Sequence, residues 1–442
     1  MTDLSLSVIG LGKLGLPLAA CVASRGFRVV GADADLRKVE AVANGVPTIF
    51  EPGLADLLQA TGDRLTSTHD TEAAVAASDV TFVVVPTPSE PDGGFSLQYV
   101  LSACESIGRA LRAKESFHLV VLTSTVMPGS TEAVVRATLE QASGKRCGQD
   151  FGLCYSPEFI ALGSVIHDFL NPDFLLIGES DPRSGDILET VYKRVCQSGP
   201  PIARMNFINA ELAKLAVNTF VTTKITFANM LARFCERLPG ADVDVVTSAI
   251  GLDSRIGRKY LKGAIGYGGP CFPRDNVALT ALGSRIGAPV LLAEATDTAN
   301  REEVGRLADL VTDKLPPSGT VGLLGLAYKP NTDVTEESQG LLLAQELVKR
   351  GIPTVLYDPA ALDGVAETLD GRATIAPSTA ECIEQSDVVV ITTPWEEFSH
   401  IPIESLARQG TPRVLVDCWR ILDTAEIGSV VDYVPLGRRA AV

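Results

Sequence analysis

The strongest restriction on the fold of this chain comes from a glycine-rich turn between a predicted strand and a predicted helix. The turn reads Gly10-Leu11-Gly12-Lys13-Leu14-Gly15, between the apolar run at residues 6–9 and the apolar stretch at residues 16–24. In a G-x-G-x-x-G pattern the first glycine permits a tight turn, the second lets the main chain approach a pyrophosphate, and the third lets the helix pack on the strand. The N–H groups at the helix N-terminus attract phosphate as well. The pattern therefore predicts a parallel α/β domain that binds a dinucleotide.

An acidic residue indicates which dinucleotide this turn binds. Asp33 stands at the end of the next predicted strand, residues 27–33, where a carboxylate accepts hydrogen bonds from both ribose hydroxyls. The same negative charge repels a 2′-phosphate, so the sequence favours NAD over NADP. The alternative is an α/β turn that binds no dinucleotide, and the strand and helix flanking the turn argue against it.

Strand-like and helical stretches alternate along the rest of the chain, which is typical of doubly wound parallel sheets. Residues 209–237 contain neither Gly nor Pro and predict one long helix between two domains, or two helices with a kink. The Pro316-Pro317-Ser318-Gly319 segment predicts a linker. Further strands are predicted at residues 80–85, 119–122, 174–177, 320–324, 354–357, 388–392 and 414–417.

The predicted fold class is α/β: two Rossmann-like doubly wound domains joined by a long central helix and a helical middle domain. The predicted domains are residues 1–203 for NAD, residues 204–314 for the helical part and residues 315–442 for the second α/β unit. That unit has only the partial glycine pattern Gly322-Leu323-Leu324-Gly325. It is predicted to hold another phosphorylated ligand, and a purely structural domain remains the alternative.

Composition excludes several classes of function. The 442 residues carry a net charge of −16, which disfavours nucleic acid and anionic membranes as partners. No run of 18 apolar residues suggests a membrane span, and no signal peptide is expected at the N-terminus. The nine cysteines form no C-x-x-C pair and the chain has four histidines, so no metal site is expected. Most of these cysteines are expected to be buried in a reducing, cytoplasmic compartment.

A second glycine-rich segment surrounds one cysteine and suggests covalent chemistry. It reads Gly266-Tyr267-Gly268-Gly269-Pro270-Cys271-Phe272-Pro273-Arg274-Asp275. The glycines allow close approach of the main chain, and a thiolate is nucleophilic and can hold an acyl group as a thioester. Cysteines are structural by default, and the composition of this loop favours a nucleophile here. Asp275 either serves as a turn or cap residue, or positions a water molecule near the sulfur.

Two polar residues on the predicted long helix form a candidate oxyanion site. Lys214 and Asn218 are four residues apart and share one helix face, which is otherwise apolar around them. A solvent-exposed lysine is the ordinary alternative. Together the two side chains offer a cation and an amide donor, a pair suited to stabilising a developing oxyanion.

The chain resembles the nucleotide-sugar 6-dehydrogenases, the UDP-glucose/GDP-mannose dehydrogenase family, and most of all its UDP-glucose branch. The resemblance covers nearly the whole chain and consists of motifs in the family's order. These motifs are Gly10-x-Gly12-x-x-Gly15, Glu51-Pro52-Gly53-Leu54, Pro86-Thr87-Pro88 with Asp92-Gly93, Ser124-Thr125-Val126, Pro157-Glu158-Phe159, Lys214-x-x-x-Asn218, Arg255-Ile256-Gly257, Gly268-Gly269-x-Cys271 and Gly325-Leu326-Ala327-Tyr328-Lys329.

The resemblance implies two successive oxidations of a sugar C6 alcohol to a carboxylate, with two NAD reduced. By this resemblance Cys271 attacks the intermediate aldehyde, and a thioester follows. Lys214 and Asn218 stabilise the oxyanion, and the first proton goes to Lys214 or to a water held by Thr125 and Asp275. Glu158 is implied as the acid or base of thioester hydrolysis.

The resemblance also implies the binding residues and a homodimer built on the long helix. Arg255, which is implied to reach the neighbouring subunit's substrate, supplies with Lys262 and Lys329 the positive charge that a pyrophosphate requires. The implied NAD-binding residues are Gly10, Leu11, Gly12, Lys13, Gly15, Asp33, Lys38, Pro86, Thr87, Ser124, Thr125 and Arg274. The implied substrate-binding residues are Glu158, Phe159, Ile160, Lys214, Asn218, Arg255, Tyr260, Lys262, Gly268 and Lys329.

Three positions depart from the family pattern. Glu336 stands where the family has an arginine that meets NAD, and Leu162 stands where many members have a glutamate. The C-terminal Asp-x-Arg that contacts the nucleotide is replaced by Asp417-Cys418-Trp419-Arg420, which displaces the arginine by one position.

The substrate predicted from these motifs is UDP-glucose, oxidised to UDP-glucuronate. GDP-mannose is the first alternative and UDP-N-acetylhexosamine the second, because the latter branch usually has arginine where Phe159 stands. A catalytically silent nucleotide-sugar-binding regulator and a simple two-electron alcohol dehydrogenase are alternatives of other classes.

Overall fold

The structure of the protein is a computed structural model that describes residues 4–422, residue 427 and residues 430–440. It divides the chain into two compact units, Met1–Ala216 and Val217–Val442, which are described in turn. The division into three domains at residues 203 and 314 stays a prediction.

The first unit is built on an eight-stranded sheet in the order β3-β2-β1-β4-β5-β6-β7-β8. Neighbouring strands are parallel except β6 and β7, which pair antiparallel. The first six strands in this order have the arrangement of dinucleotide-binding domains, with the switch point between β1 and β4. The strands are β1 Ser5–Ile9, β2 Arg28–Ala32, β3 Leu65–Thr68, β4 Val80–Val83, β5 His118–Leu122, β6 Phe151–Tyr155, β7 Leu175–Glu179 and β8 Ile202–Met205.

Helices cover both faces of this sheet, and each face has its own apolar core. One core includes Leu6, Leu16 and Phe82, and the other includes Val83, Ile107 and Leu122. A strand with both faces buried is predominantly apolar, which is why β1, β4 and β5 were recognisable in the sequence. The helices are α1 Gly15–Ser24, α2 Leu36–Ala43, α3 Leu54–Thr61, α4 Thr71–Ala76, α5 Gln98–Ala113, α6 Arg136–Ser143, α7 Val165–Leu170 and α8 Pro182–Val195.

One continuous helix of 29 residues, α9 Phe207–Cys235, crosses the boundary between the two units. The sequence alternative of two helices joined by a kink is therefore wrong. Three more helices follow before the second sheet: α10 Val243–Ile250, α11 Phe272–Ile286 and α12 Leu291–Lys314. None of the helices in the described ranges is both long and apolar enough to cross a membrane.

The second unit contains a six-stranded parallel sheet in the order β11-β10-β9-β12-β13-β14, which repeats the arrangement of the first unit. The predicted fold class, two Rossmann-like domains with a helical middle region, is confirmed. The strands are β9 Val321–Leu324, β10 Thr354–Tyr357, β11 Thr374–Ile375, β12 Val388–Ile391, β13 Val414–Asp417 and β14 Asp432–Pro435. The helices among them are α13 Gln339–Lys349, α14 Val365–Thr368, α15 Thr379–Glu384, α16 Glu396–Ser399 and α17 Ile403–Leu406.

Candidate active site

The turn after β1 has the geometry of a dinucleotide cradle. Gly10 has φ +97°, and a Cβ there would lie 2.3 Å from the Val84 carbonyl oxygen. A Cβ on Gly15 would lie 1.8 Å from the Gly10 oxygen, whereas a Cβ on Gly12 would meet nothing within 4 Å. The first and third glycines are thus required by packing, and the second leaves open space in front of the uncapped N-terminus of α1. A pyrophosphate fits that space.

Asp33, at the end of β2, accepts hydrogen bonds from the turn itself. Its Oδ2 accepts from the Leu11 N–H at 2.7 Å and lies 3.3 Å from the Lys38 Nζ. Its Oδ1 accepts from the Asp35 N–H at 2.9 Å. The carboxylate remains partly exposed, so it can still accept hydrogen bonds from ribose hydroxyls. Lys38, predicted from the family to bind NAD, is placed beside this carboxylate.

The second α/β unit has a related glycine turn, but the carboxylate beside it is occupied by hydrogen bonds from the protein. Gly325 has φ +109° and follows β9 as Gly10 follows β1. The counterpart of Asp33 is Asp358, which is only 1% exposed. Its Oδ2 accepts from the Leu326 and Ala327 N–H groups and from the Trp395 Nε1. Because these protein donors occupy the carboxylate, the second turn lacks the ribose acceptor of an NAD site.

The loops after β4 and β5 lie at the carboxyl ends of neighbouring strands, where α/β folds bind ligands. The Thr87 Oγ1 donates a hydrogen bond of 2.8 Å to the Thr125 carbonyl oxygen. The Ser124 Oγ contacts both main-chain groups of Val85. These contacts bring together the predicted NAD residues of both loops, next to the exposed Pro86.

Lys214, on α9, is only 7% exposed, so it is not the ordinary solvent-exposed lysine of the sequence alternative. Its Nζ donates a hydrogen bond of 2.6 Å to the Glu158 carbonyl oxygen and lies 4.6 Å from the centre of the Phe159 ring. Three predicted site residues of the first unit are thus in contact. Ile160, also predicted to bind substrate, packs against the apolar core nearby.

The Glu158 side chain is an unusual carboxyl group. Burial raises its pKa to about 7, although the Lys214 ammonium partly opposes the rise. Within the described part of the chain, its Oε1 is buried and accepts no hydrogen bond. A carboxyl group with a pKa near neutrality can exchange a proton with a reacting group, which suits a general acid or base.

In the second unit, Cys271 differs from every other cysteine of the chain. Cys271 is exposed, whereas the other eight cysteines are buried. It occupies the N-cap position of α11 without a capping hydrogen bond from its side chain, and the dipole at a helix N-terminus favours nearby negative charge. Burial raises the pKa of Cys21 to about 12 and that of Cys196 to about 11, so these thiols stay protonated at neutral pH.

Asn218 and Asp275 form a buried pair in this unit. The Asn218 Nδ2 donates a hydrogen bond of 2.6 Å to the Asp275 Oδ2, and Asp275 is 1% exposed. Arg274 lies alongside, with its Nε 3.5 Å from the Asp275 Oδ1. The Asp275 side chain therefore faces Asn218 and does not cap α11. Because α9 is continuous, Lys214 and Asn218 lie one helical turn apart on one face.

The predicted cations for the nucleotide sugar lie on irregular segments of the second unit. Lys262 is exposed, and its Nζ lies 5.9 Å from the Trp419 ring centre. Arg255 is exposed and bonded to Asp253, so the structure does not bring it to the other site residues. Tyr260 has φ +61° and packs edge-on against Phe272, next to Cys271. Gly268 is buried, and Lys329 lies partly buried in the turn after β9.

Three family profiles match the chain in order. They are the NAD-binding domain of the UDP-glucose/GDP-mannose dehydrogenase family at residues 4–196, its central domain at residues 208–302 and its UDP-binding domain at residues 322–424. The chain belongs to the UDP-glucose/GDP-mannose dehydrogenase family. It is an NAD-dependent nucleotide-sugar 6-dehydrogenase, which confirms the resemblance, the enzyme class and the cofactor predicted from the sequence.

Individual members of the family match most of the chain. A UDP-glucose 6-dehydrogenase of Haloferax volcanii is 36% identical over 427 residues, which cover 96% of this chain and 98% of the relative. A GDP-mannose 6-dehydrogenase of Pseudomonas aeruginosa is 36% identical over 358 residues, 80% of each chain. The solved structure of a UDP-glucose dehydrogenase from Pyrobaculum islandicum matches with a TM-score of 0.88 at 36% identity. The match covers 98% of this chain and 97% of the solved chain.

The structure explains one departure from the family pattern. The Arg420 guanidinium is buried and binds Asp244 through two hydrogen bonds of 2.7 and 2.9 Å. It also donates to the carbonyl oxygens of Gly263 and Leu436. All of these Arg420 hydrogen bonds are made to the protein itself, so its guanidinium has a structural role in this dehydrogenase. Trp419, the residue before Arg420, lies next to Lys262.

The other two departures have different surroundings. The exposed Glu336 accepts a hydrogen bond of 3.0 Å from the Gly269 N–H through its main-chain oxygen. Nothing in the structure explains Leu162, which lies in the half-buried loop before α7.

Two buried carboxylates hold the loops of the first unit that carry predicted site residues, and the sequence assigned no role to either carboxylate. Glu211 accepts from the Gly129 N–H at 2.6 Å and the Thr131 N–H at 2.8 Å, just after Thr125. Glu51 accepts from the N–H groups of Gly163 and Val165, just after the Glu158 segment. Glu211 lies three residues before Lys214, so the two share one helix face, and this spacing could have indicated a role for Glu211 in the sequence.

Proposed function

We propose that this enzyme oxidises the C6 hydroxyl of UDP-glucose to the carboxylate of UDP-glucuronate through a covalent intermediate on Cys271. The observation that carries the proposal is the exposure of Cys271, in a chain whose other eight cysteines are buried. An exposed thiol at a helix N-terminus is the type of cysteine that acts as a nucleophile.

The residues would act in sequence on one sugar. NAD supplies the chemistry of hydride removal in each of the two oxidations. Lys214, or a water held by Thr125 and Asp275, takes the proton of the C6 hydroxyl as the aldehyde forms. The Cys271 thiolate then adds to the aldehyde carbon, and Lys214 and Asn218 stabilise the resulting alkoxide of the thiohemiacetal.

The second oxidation converts the thiohemiacetal to a thioester, which water then cleaves. Water adds to the thioester carbon while the Glu158 carboxylate takes its proton, and the carbon–sulfur bond breaks to release the Cys271 thiolate. The covalent bond holds the sugar between the two oxidations, so the aldehyde does not escape.

UDP-glucose is favoured over GDP-mannose by the extent of the match. The Haloferax volcanii UDP-glucose enzyme aligns with 96% of this chain, whereas the GDP-mannose enzyme aligns with 80%. The Pro157-Glu158-Phe159 motif is common to both branches and argues against UDP-N-acetylhexosamine.

The test is the number of NADH molecules formed per sugar nucleotide, measured in parallel with UDP-glucose, GDP-mannose and UDP-N-acetylhexosamines. We expect about two NADH per UDP-glucose consumed, since each oxidation removes one hydride. Two NADH with GDP-mannose alone would replace the substrate assignment. One NADH per sugar would overturn the covalent mechanism and leave a simple alcohol dehydrogenase.

We also propose a homodimer formed through α9. Phe220, Phe227 and Phe234 are spaced by seven residues, so they share one face of the helix, and they are exposed to 63%, 45% and 54%. Aromatic side chains in such a row are typical of interface cores.

In the proposed organisation of the chain, residues 1–203 bind NAD, residues 204–314 form the dimer and residues 315–442 bind the nucleotide sugar. The eight buried cysteines other than Cys271 are free thiols, which supports a cytoplasmic location.

Phe227→Asp tests the dimer. A charge in the centre of an apolar interface is expected to raise the dimer dissociation constant at least about 30-fold. Tyr99→Asp, on a similarly exposed aromatic residue of α5, is the matched control and should leave the dimer intact. Sedimentation velocity over a range of concentrations measures both variants. If the Phe227→Asp protein dimerises like the wild type, α9 does not form the interface.

A further inference from the structure

The three glycines of the Cys271 loop are required by neighbouring protein groups. A Cβ on Gly266 would lie 2.6 Å from both the Asn300 Oδ1 and the Gln339 Oε1. A Cβ on Gly268 would lie 2.3 Å from the Glu337 carbonyl oxygen, and one on Gly269 would lie 2.6 Å from the Tyr328 ring. The close approach predicted from these glycines is therefore an approach to the protein itself.

Asn300 on α12 makes the most specific contact with this loop. Its Oδ1 accepts a hydrogen bond of 2.7 Å from the Tyr267 N–H, and its Nδ2 donates one of 3.0 Å to the Tyr267 carbonyl oxygen. The Gln339 Nε2 donates to the same oxygen at 3.1 Å. Asn300 is only 6% exposed, so both bonds are protected from water.

The Tyr267 side chain makes a second contact, with a residue that follows Cys271 in the sequence. Its hydroxyl group accepts a hydrogen bond of 2.8 Å from the Asn276 Nδ2, in the first turns of α11. Cys271 thus lies on a short segment with two attachments, α11 after it and Asn300 before it. A segment with three glycines has large conformational freedom, and these attachments remove much of it.

We propose that Asn300 is a positioning residue that sets the location of the Cys271 sulfur through the main chain of Tyr267. The inference rests on the proposed covalent role of Cys271. Bond formation requires the sulfur to approach the aldehyde carbon to about 3–3.5 Å, whereas the first oxidation does not involve the sulfur. Loss of Asn300 therefore slows the second oxidation selectively, which a merely structural role does not explain.

The test uses Asn300→Ala and Asn300→Asp, the latter retaining the acceptor for the Tyr267 N–H. Single-turnover NADH formation gives the rate constants of both oxidations, and a carbonyl-trapping reagent measures aldehyde release. Asn300→Ala is expected to slow the second oxidation at least about 10-fold and to change the first by less than about threefold, since small misplacements cost large factors in rate. Asn300→Asp should lie between Asn300→Ala and the wild type. The rate of Cys271 alkylation by iodoacetamide should change at least about threefold as well.

Asn229 provides the matched control. It is 4% exposed and holds the same loop by two hydrogen bonds of 2.9 Å, but at Ala264 and Ile265, before Gly266. Asn229→Ala should lower the melting temperature without changing the ratio of the two rate constants. An equal change of that ratio in both variants would mean general loosening and overturn the positioning role.

Failure of this inference can be told apart from failure of the proposed function. If Cys271→Ser still yields two NADH per sugar, the covalent mechanism itself is wrong. If Cys271→Ser stalls while Asn300→Ala keeps the wild-type ratio and alkylation rate, the role of Asn300 alone is wrong. Should Asn300→Ala fail to fold, Asn300→Asp is judged by the same two measurements, and wild-type values there overturn the inference.

Discussion

Replacing Cys271 with serine is expected to stop the reaction after the first oxidation and to lower formation of the sugar acid at least about 10³-fold. A serine hydroxyl is not ionised at neutral pH, so it does not add readily to the aldehyde. The other eight cysteines are buried and do not replace the missing thiol. The measurement is NADH formed per UDP-glucose consumed, which should fall from about two to about one as aldehyde accumulates.

Cys196→Ser is the matched control for this experiment, because Cys196 is a buried free cysteine of the first unit. It should retain two NADH per sugar. Mass spectrometry of the quenched wild-type enzyme should detect the sugar nucleotide bound to the peptide that contains Cys271. Full conversion to the acid by Cys271→Ser would contradict the mechanism, and an adduct on another residue would relocate it.

Replacing Glu158 with glutamine is expected to slow thioester hydrolysis about 100-fold, the effect of losing a general base. In the wild type the carboxyl group has a pKa of about 7, raised by burial. Only the ionised form accepts a proton from water, so hydrolysis should accelerate as pH rises through 7 and level off above it. Below pH 7 the protonated form predominates and the rate falls. Glu158→Gln should lose this dependence and accumulate the thioester on Cys271.

Glu179→Gln serves as the control for the pH profile. Glu179 is a partly buried carboxylate of the same unit, bonded to Arg204, and no catalytic step is assigned to it. Rates of both variants between pH 5.5 and 8.5 would be compared by rapid quench and mass spectrometry, spanning the range about 1.5 units either side of the Glu158 pKa. An unchanged pH profile in Glu158→Gln would assign the ionisation near 7 to another group.

The strands recognised in the sequence and those missed differ for physical reasons. Runs such as β1 and β5 are buried on both faces and are predominantly apolar, with Ser7 and His118 as buried polar exceptions, which makes them visible. The strand β3 contains Thr66 and Ser67 and lies at a sheet edge, so it lacks that signature. The strand β6 contains Gly152, which weakens the strand signal in the sequence. The glycine is required there by packing, because a Cβ would lie 2.1 Å from the Ser184 Oγ.

The candidate site was predicted to a different extent in its two parts. The NAD turn was predictable in detail, because the spacing of its glycines is a local pattern, although the group that Gly10 approaches, the Val84 carbonyl, is distant in the sequence. The loop around Cys271 was recognised from its glycines, but its partners Asn300 and Gln339 were not. Their contacts join a side chain to a main chain across 33 and 72 residues, and such contacts leave no local pattern.

Local chain geometry and the order of apolar runs were therefore contained in the amino-acid sequence. They indicate the two α/β units, the long helix and the glycine turns, because the pattern that marks each of these lies within a short stretch of the sequence. Burial was decided by the tertiary structure, since it depends on residues far apart in the chain. Only the folded protein shows that Cys271 is the exposed thiol, that Lys214 is enclosed and that Glu158 has a pKa near 7. Desolvation and neighbouring charge set the reactivity of these groups, and both arise when the chain folds.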